Sequence, residues 1–533
     1  MQRAEDIQAD EPPVETISAL EEAFERRRRA AGVVLAPLAF AAVYLTSGAL
    51  GPQGQTMASI LAAVVMLWIC ETLPLPVTAL FGAVLCIALG VAPARQVFSY
   101  FADPIVFLFI GSFMLARAMA VHGLDRRIAL SFLSIRWVSA TPARMLAGLG
   151  FVTAVLSMWV SNTATTAMMM PIALGILSAL NRARGNGAAL GSRSWPFATG
   201  MMLMVSYAAC IGGIGTPVGS PPNLIGISMI RNTAGVDISF FTWMTAAVPM
   251  LVAMAAALFL LLYRLHPESP RHDPARGPHD AASDAGSTLA TDMRRHVAQE
   301  KALLGPWTRG QVNALIAFGF AVALWMLPGV LALLGLGGSP LGQWLSARMP
   351  EAVVAVAAAL LLFVLPVRLR DGEFTLSWTE AVKIDWGTIL LFGGGLTFGT
   401  LMFDTGVARA LGEAFAAWLG TSSLWWFTFT AIAIGILMSE TTSNTAAANM
   451  IVPVVIAIAQ ASGLNPIPPA LGAAFGASFG FMLPVSTPPN AIVYGSGLIP
   501  IPKMIRAGVL FDVLGLVIIW AGLRIMCPLL GLA

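Results

Sequence analysis

Ser157-Met158-Trp159-Val160-Ser161-Asn162-Thr163-Ala164 and, 282 positions later, Ser439-Glu440-Thr441-Thr442-Ser443-Asn444-Thr445-Ala446 share one unusual wording, Ser-x-x-x-Ser-Asn-Thr-Ala. At the same offset Met168 matches Met450, Pro171 matches Pro453, Asp103 matches Asp385 and Gly111 matches Gly393. Both copies lie in apolar stretches, about 141–180 and 421–460. A hydroxyl or amide placed in lipid without a partner costs several kcal/mol. A Ser-Asn-Thr cluster found there twice, at one offset, implies that something uses its oxygens and amides. The reading is a duplicated membrane protein whose polar centre is built from both halves, the arrangement of a secondary transporter.

The whole chain fits a lipid solvent. Of its 533 residues 57% are hydrophobic and only 11% charged, against roughly 25% charged in soluble proteins. The net charge of +3 does not point to nucleic acid, because the basic residues flank apolar runs, where they set topology. Cys70, Cys86, Cys210 and Cys527 are scattered without paired spacing, so neither a disulfide framework nor a zinc site follows. His122, His266, His272, His279 and His296 are all expected in loops, which argues against a catalytic imidazole in the core. The chain opens on polar, acidic residues and its first apolar run follows Arg26–Arg29, so no cleaved signal peptide is expected.

A membrane-crossing helix needs about 20 apolar residues. Eleven full spans are expected at 31–49, 56–72, 75–93, 104–120, 196–230, 242–263, 311–335, 351–367, 386–403, 466–497 and 507–530. The two Ser-Asn-Thr stretches, each with a polar, proline-limited interruption, can be two spans or one re-entrant hairpin. The charges choose. Arg26–Arg29 place the N-terminus in the cytoplasm. Arg126, Arg127, Arg136, Arg144, Arg182, Arg184 and Arg193 surround the first stretch, whereas 404–465 holds only Arg409. Hairpins keep the count consistent, the first re-entering from the cytoplasm and the second from outside. The expected fold is therefore an all-α polytopic membrane protein of about 11 transmembrane helices plus two re-entrant hairpins, in two inverted repeats with two broken helices. The division is a cytoplasmic tail 1–30, a first half 31–263, a cytoplasmic linker 264–309 and a second half 310–533. The linker has no apolar period and is expected to hold only a short surface helix around 290–304.

The broken helices are read from Gly215-Thr216-Pro217-Val218-Gly219-Ser220-Pro221-Pro222-Asn223 within 196–230 and from Ser486-Thr487-Pro488-Pro489-Asn490 within 466–497. Two prolines cannot continue a helix. Carbonyls freed at such a break can coordinate a cation, and half-helix N-termini can face an anion. None of the four motif segments holds Lys, Arg or His. A dianion at mid-membrane then needs accompanying cations, and Ser, Asn and carbonyl oxygens suit a hard ion such as sodium. A single Ser or Thr in a membrane helix more often bonds back to its own helix, and the methionines are gap-fillers. The asparagines, doubled in context, resist that reading. Glu71, beside Pro74 and Pro76, suits an interface, while Glu440, one turn before Ser443, is a candidate proton or cation group.

At these residues the chain resembles the divalent anion:sodium symporter family, carriers of succinate, fumarate, malate, citrate or sulfate. The resemblance covers about 55–530. Its most specific parts are the two Ser-Asn-Thr motifs, the segment 477–493 from Ala477-Ser478-Phe479 to Ala491-Ile492-Val493, and Trp68 with Glu71-Thr72-Leu73-Pro74. It implies a homodimeric plasma-membrane transporter, with scaffold and mobile parts working as an elevator, and no enzyme activity. By motif matching, one sodium ion would use Ser157, Ser161, Asn162 and the backbone at Gly219. A second would use Ser439, Ser443, Asn444 and the backbone at Ser486. The anion would meet Ser161, Asn162, Thr163, Ser220, Ser443, Asn444, Thr445, Thr487 and Pro488. Ser486 departs from the alanine frequent in relatives, which matters little if its carbonyl is the ligand. Sodium-independent exchange of dicarboxylates and sodium-coupled sulfate uptake are the alternatives. An intramembrane protease is disfavoured, since it needs a Ser–His pair or two intramembrane aspartates.

Overall fold

The computed structural model describes residues 19–183, 195–268, 280–419 and 423–533. Among the described residues the regular structure is helical apart from one two-stranded ribbon, Pro366–Arg368 with Glu373–Phe374. Among the described residues eleven helices are long and apolar enough to cross a membrane, the expected number but not the same set. Both helices of the 421–460 stretch and the second helix of the 141–180 stretch qualify, whereas 75–93 contains only the 14-residue helix Leu75–Ala88. The span expected at 351–367 is the helix Glu351–Val364, bent 77° from Pro340–Arg348 before it. Apolar side chains such as Val33, Leu45, Leu437 and Leu529 cover the outer surface, as lipid contact requires.

Local chemistry explains where the helices begin. Asp103 starts the helix Pro104–Val121 by accepting from the Ile105 N–H at 2.9 Å, and Asp385 starts Trp386–Asp404 by accepting from Thr388 at 3.0 Å. The two aligned aspartates are therefore both N-caps. Glu71 closes the helix Gly51–Cys70 in the left-handed region, φ 47°, and pairs with Arg28 at 2.6 Å. It sits at a helix end beside the arginine run, as an interfacial residue would.

The expected break in each Ser-Asn-Thr stretch is present but is short and lies before the proline. The first stretch forms helices Pro142–Ser157 and Asn162–Ala183, the second Leu424–Thr441 and Asn444–Ala461. Pro171 and Pro453 lie inside the second helix of each pair rather than bounding the interruption. The span 196–230 is split into Pro196–Ile214 and Pro221–Ala234, and 466–497 into Ile467–Gly476 and Pro488–Tyr494. The paired prolines begin the second half-helices, where a missing N–H costs nothing and the fixed φ is already helical.

These eight helices pack in one pattern used twice. Pro196–Ile214 lies against both helices of the first stretch, and Ile467–Gly476 against both of the second. Each second half-helix then crosses over. Pro221–Ala234 packs on Asn444–Ala461 and Ile467–Gly476, while Pro488–Tyr494 packs on Asn162–Ala183 and Pro196–Ile214. Close approach needs small residues: a Cβ on Gly212 would stand 2.3 Å from the Ala154 carbonyl oxygen.

The linker differs from expectation. Its helix runs Asp280–Leu303, about ten residues longer than the sequence suggests, and lies on Asn162–Ala183 and on Leu124–Leu133. Arg126–Glu300 at 2.8 Å and Lys301–Ser134 at 3.1 Å fasten it there, so tertiary contact supports a segment whose apolar period is too weak to announce it. His296 consequently lies in a helix and not a loop, while His272 and His279, Arg184, Arg193 and the tail 1–18 lie outside the described residues.

Candidate functional site

The first Ser-Asn pair closes on itself. The Ser157 hydroxyl donates to Asn162 Oδ1 at 2.8 Å across the four-residue break, and the Ser161 hydroxyl accepts from the Ala164 N–H at 3.3 Å. The broken helix lies close against this pair. Gly213 approaches so closely that an added Cβ would lie 2.4 Å from Asn162 Oδ1. A Cβ on Gly219 would lie 2.8 Å from the Met158 carbonyl oxygen and 2.6 Å from that of Gly213. The Thr216 hydroxyl donates to the Met158 carbonyl. Of the carbonyls freed at the break, that of Ile214 accepts from the Trp243 indole at 3.0 Å, and those of Gly213 and Thr216 accept from Asn223 at 2.8 Å each. The break is thus a held conformation with these three carbonyls satisfied, as burial demands, while Asn223 Oδ1 is left without a donor.

The second pair repeats this geometry. Ser439 donates to Asn444 Oδ1 at 2.7 Å and reaches the Ala477 carbonyl at 3.0 Å. Asn444 Nδ2 lies 3.5 Å from the Ser478 carbonyl, and Ser443 caps its helix by accepting from Ala446 at 3.3 Å. Asn490 takes the place of Asn223, donating to the carbonyls of Gly480 at 2.9 Å and Leu483 at 3.0 Å. The eleven-residue break 477–487 is longer than the first, and Glu440 holds it. Its Oε1 accepts from the N–H groups of Phe481 at 2.5 Å and Met482 at 2.9 Å, and its Oε2 accepts from the Ser486 hydroxyl at 2.6 Å.

The structure therefore brings Ser157 to Asn162, with Gly213 and Gly219 beside them, and Ser439 to Asn444, with the backbone at 477–480 beside them. Ser486 directs its hydroxyl to Glu440. Ser220 and Thr487 are buried at the N-caps of the two second half-helices, and Thr445 is buried, whereas Ser161, Thr163 and Pro488 are accessible. The halves interlock at this level: Ser206 donates to Asn490 Oδ1 at 2.6 Å, and the Cys210 sulfur lies 3.9 Å from the Thr487 hydroxyl. Two things escaped the sequence reading. The motif spacing assigns Asn223 and Asn490 no task, and Asp512, buried in Ile501–Leu529, lies outside every motif, although an acid inside an apolar span is a signal in itself. The donor set of hydroxyl, amide and carbonyl oxygens fits a hard monovalent cation, and among the described residues no cluster of His, Cys, Asp and Glu suits a transition metal.

Comparison with known proteins agrees with this architecture. Residues 30–531 match the family described as the sodium:sulfate symporter transmembrane region. An uncharacterized transporter of Haemophilus influenzae is 32% identical over 471 residues, covering 88% of this chain and 91% of its own. The sodium-dependent dicarboxylate transporter SdcS of Staphylococcus saprophyticus is 32% identical over 493 residues, covering 92% and 89%. The SdcS protein of Staphylococcus aureus strain USA300 is 30% identical over 498 residues. The crystal structure of the Alcanivorax borkumensis YdaH transporter, of unusual topology, aligns with a TM-score of 0.54 at 14% identity over 81% of this chain and 88% of that one, a likeness of fold alone. With its helical membrane architecture, its paired Ser-Asn-Thr breaks and a family match over almost its whole length, the chain belongs to the sodium:sulfate symporter family, the divalent anion:sodium symporters, and is a membrane transporter and not an enzyme.

Proposed function

We propose that this chain is a sodium-coupled symporter of a C4-dicarboxylate such as succinate, fumarate or malate. The observation that carries the reading is the twofold Ser-Asn pair, each closed against unwound backbone and with no basic side chain in the motif segments. Sodium at the first site would be held by Ser157, Ser161, Asn162 and the carbonyl at Gly219, and at the second by Ser439, Ser443, Asn444 and the carbonyl at Ser486. One carboxylate of the anion would meet Asn162, Thr163 and Ser220, the other Asn444, Thr445, Thr487 and the N-terminus at Pro488. Neutral donors orient carboxylates but cannot offset two charges, so the cations do. Affinities for anion and sodium then rise together by one factor.

The two Ser-Asn-Thr helix pairs are re-entrant hairpins in inverted repeats, with the N-terminus in the plasma-membrane protein's cytoplasmic side and the working unit a homodimer. The crossed packing of the half-helices makes the eight central helices one body, which suits movement as an elevator against the remaining helices. The names of the SdcS relatives support sodium and dicarboxylate. The family description favours a second reading, sodium-coupled sulfate uptake. Uptake of labelled succinate into proteoliposomes, with sodium or choline outside and sulfate as competitor, decides. Sodium-dependent succinate uptake that sulfate does not displace supports the first reading, and equal uptake in choline removes symport.

A further inference from the structure

Asp512 lies in the interior of the helix Ile501–Leu529 and is 3% exposed. Neither of its carboxylate oxygens receives a hydrogen bond. The side chain within hydrogen-bonding reach of it is another acid, Glu440, and the Tyr207 ring stands beside both. Tyr207 has no hydrogen to spare, because its hydroxyl donates to the Phe481 carbonyl at 2.6 Å, with that of Met504 at 3.3 Å. The Tyr207 ring belongs to a cluster with Phe479, Phe481 and Phe511, with Tyr207 and Phe481 rings 4.7 Å apart and Phe481 and Phe511 rings 4.9 Å apart. Among the described residues no ion pair includes either acid. The helices packed on Ile501–Leu529 are Phe240–Leu265, Leu424–Thr441 and Ile467–Gly476. They bring no other acid or base to this depth, since Tyr263 and Arg264 stand at a helix end.

The two acids differ in what surrounds them. Glu440 accepts two N–H bonds and one hydroxyl. Asp512 has none of these, and a second negative charge in contact with the first, out of water, is not stable alone. A proton shared between the two carboxyls or a bound cation relieves this repulsion, and among the described residues no basic side chain pairs with either acid.

We propose that Glu440 and Asp512 form a third cation site, separate from the two Ser-Asn sites, which takes a sodium ion in each transport cycle. The proposal rests on the symport reading above, which makes sodium the driving ion. The unshared Asp512 oxygens are hard donors of the kind sodium accepts. The site belongs to the second half only: at the position of Glu440 the first half has Met158, and at that of Ser486 it has Gly219. Its link to the anion is direct. Glu440 fixes Phe481, Met482 and Ser486, and Thr487, the next residue, begins the half-helix that would face a carboxylate. Two sodium ions balance a dianion, so a third leaves one net positive charge carried inward per anion.

The test is the ratio of charge to labelled succinate moved by the full-length protein in proteoliposomes, with the sodium flux measured beside it. The expected result is three sodium ions and one net charge per succinate for the wild type. For Asp512→Asn it is two sodium ions and no net current, with uptake still sodium-dependent, while Asp512→Glu keeps the current. An electroneutral wild type overturns the site, whether or not the Asn variant folds. So does an Asp512→Asn protein with the wild-type ratio, or a wild-type current that follows the proton gradient with only two sodium ions moved. Sodium-independent succinate uptake would instead remove the symport reading, a separate outcome.

Discussion

Asn223 and Asn490, 267 positions apart, make the same pair of bonds: each donates its side-chain amide to the carbonyls ten and seven positions before it. Each amide thus ties off a broken helix: Asn223 holds the last turn of Pro196–Ile214 against the unwound segment, and Asn490 holds two carbonyls of the break 477–487 to the second half-helix. The acceptor ends differ. Asn490 Oδ1 takes the Ser206 hydroxyl at 2.6 Å, whereas Asn223 Oδ1 is buried without a donor.

Replacing either asparagine by aspartate keeps the shape and removes the donor, leaving two buried carbonyls unsatisfied. Each such group costs about 1–3 kcal/mol. Both Asn223→Asp and Asn490→Asp should therefore lower the melting temperature of purified protein, with Asn490→Asp also placing a charge beside Ser206. Melting curves indistinguishable from wild type would show that the clamps do not hold the breaks.

The Ser-Asn pairs should respond to small changes. Ser157→Ala and Ser439→Ala each remove a proposed sodium ligand and the hydroxyl that orients the asparagine, so the sodium concentration for half-maximal uptake should rise roughly tenfold with saturating transport less affected. Asn162→Ala and Asn444→Ala remove a group proposed to meet both cation and anion. Loss of a hydrogen bond to a charged group is worth about 1.5–3 kcal/mol, and uptake should fall at least tenfold. Near-normal transport by any of the four would sink the site assignment.

Gly213 and Gly480 occupy matching positions, 267 apart, but their surroundings are unequally tight. A methyl group on Gly213 would stand 2.4 Å from Asn162 Oδ1, while one on Gly480 would meet Ser439 Oγ at 3.2 Å. Gly213→Ala must displace the asparagine and should weaken sodium affinity strongly. Gly480→Ala should be the milder of the two. The reverse order, read from sodium titrations of uptake, would contradict the placement of Asn162 against the broken helix.

Much of this was legible in the sequence because polar residues and proline pairs stand out in apolar runs. The positions of both breaks in the Ser-Asn-Thr stretches and of both broken helices follow from them within a few residues. Aspartates 103 and 385 matched in alignment and match as helix caps. What the sequence hides is long-range partnership. Glu440 is wired to residues 41 to 46 positions away, and nothing near it in sequence announces Ser486 or Phe481. Asp512 is a single acid in a long apolar helix, and a window average absorbs it. The linker helix Asp280–Leu303 is polar enough to read as loop, and it is the helix pair beneath it that gives it a surface to lie on.

His266 gives the chain an acid-sensitive joint at the end of the helix Phe240–Leu265. Its ring is buried against Gly200, and neither nitrogen has a hydrogen-bond partner. Burial first, and then the charges of Lys503 and Arg506, push its pKa down from 6.5 to about 4. The folded protein therefore holds this ring neutral where the unfolded chain would protonate it. Its linkage leaves stability unchanged above pH 6.5, and stability falls as pH drops from 6.5 towards 4. His266→Phe should flatten that part of the melting-temperature profile without altering it at pH 8. An unchanged acid slope would assign the loss to other groups.

The proposed inverted arrangement is open to a direct chemical probe, because the four native cysteines are all buried and should be silent to a membrane-impermeant maleimide. Arg182 is exposed near the end of the helix Asn162–Ala183, and Ala461 is exposed at the end of Asn444–Ala461. The two ends correspond in the repeat, so parallel repeats would present them to the same side. Inverted repeats place them on opposite sides, Arg182 with the basic cytoplasmic groups and Ala461 in the segment that holds only Arg409. In right-side-out vesicles Ala461→Cys should label at once and Arg182→Cys only after permeabilisation. Labelling of both from the same side would defeat the re-entrant, inverted topology.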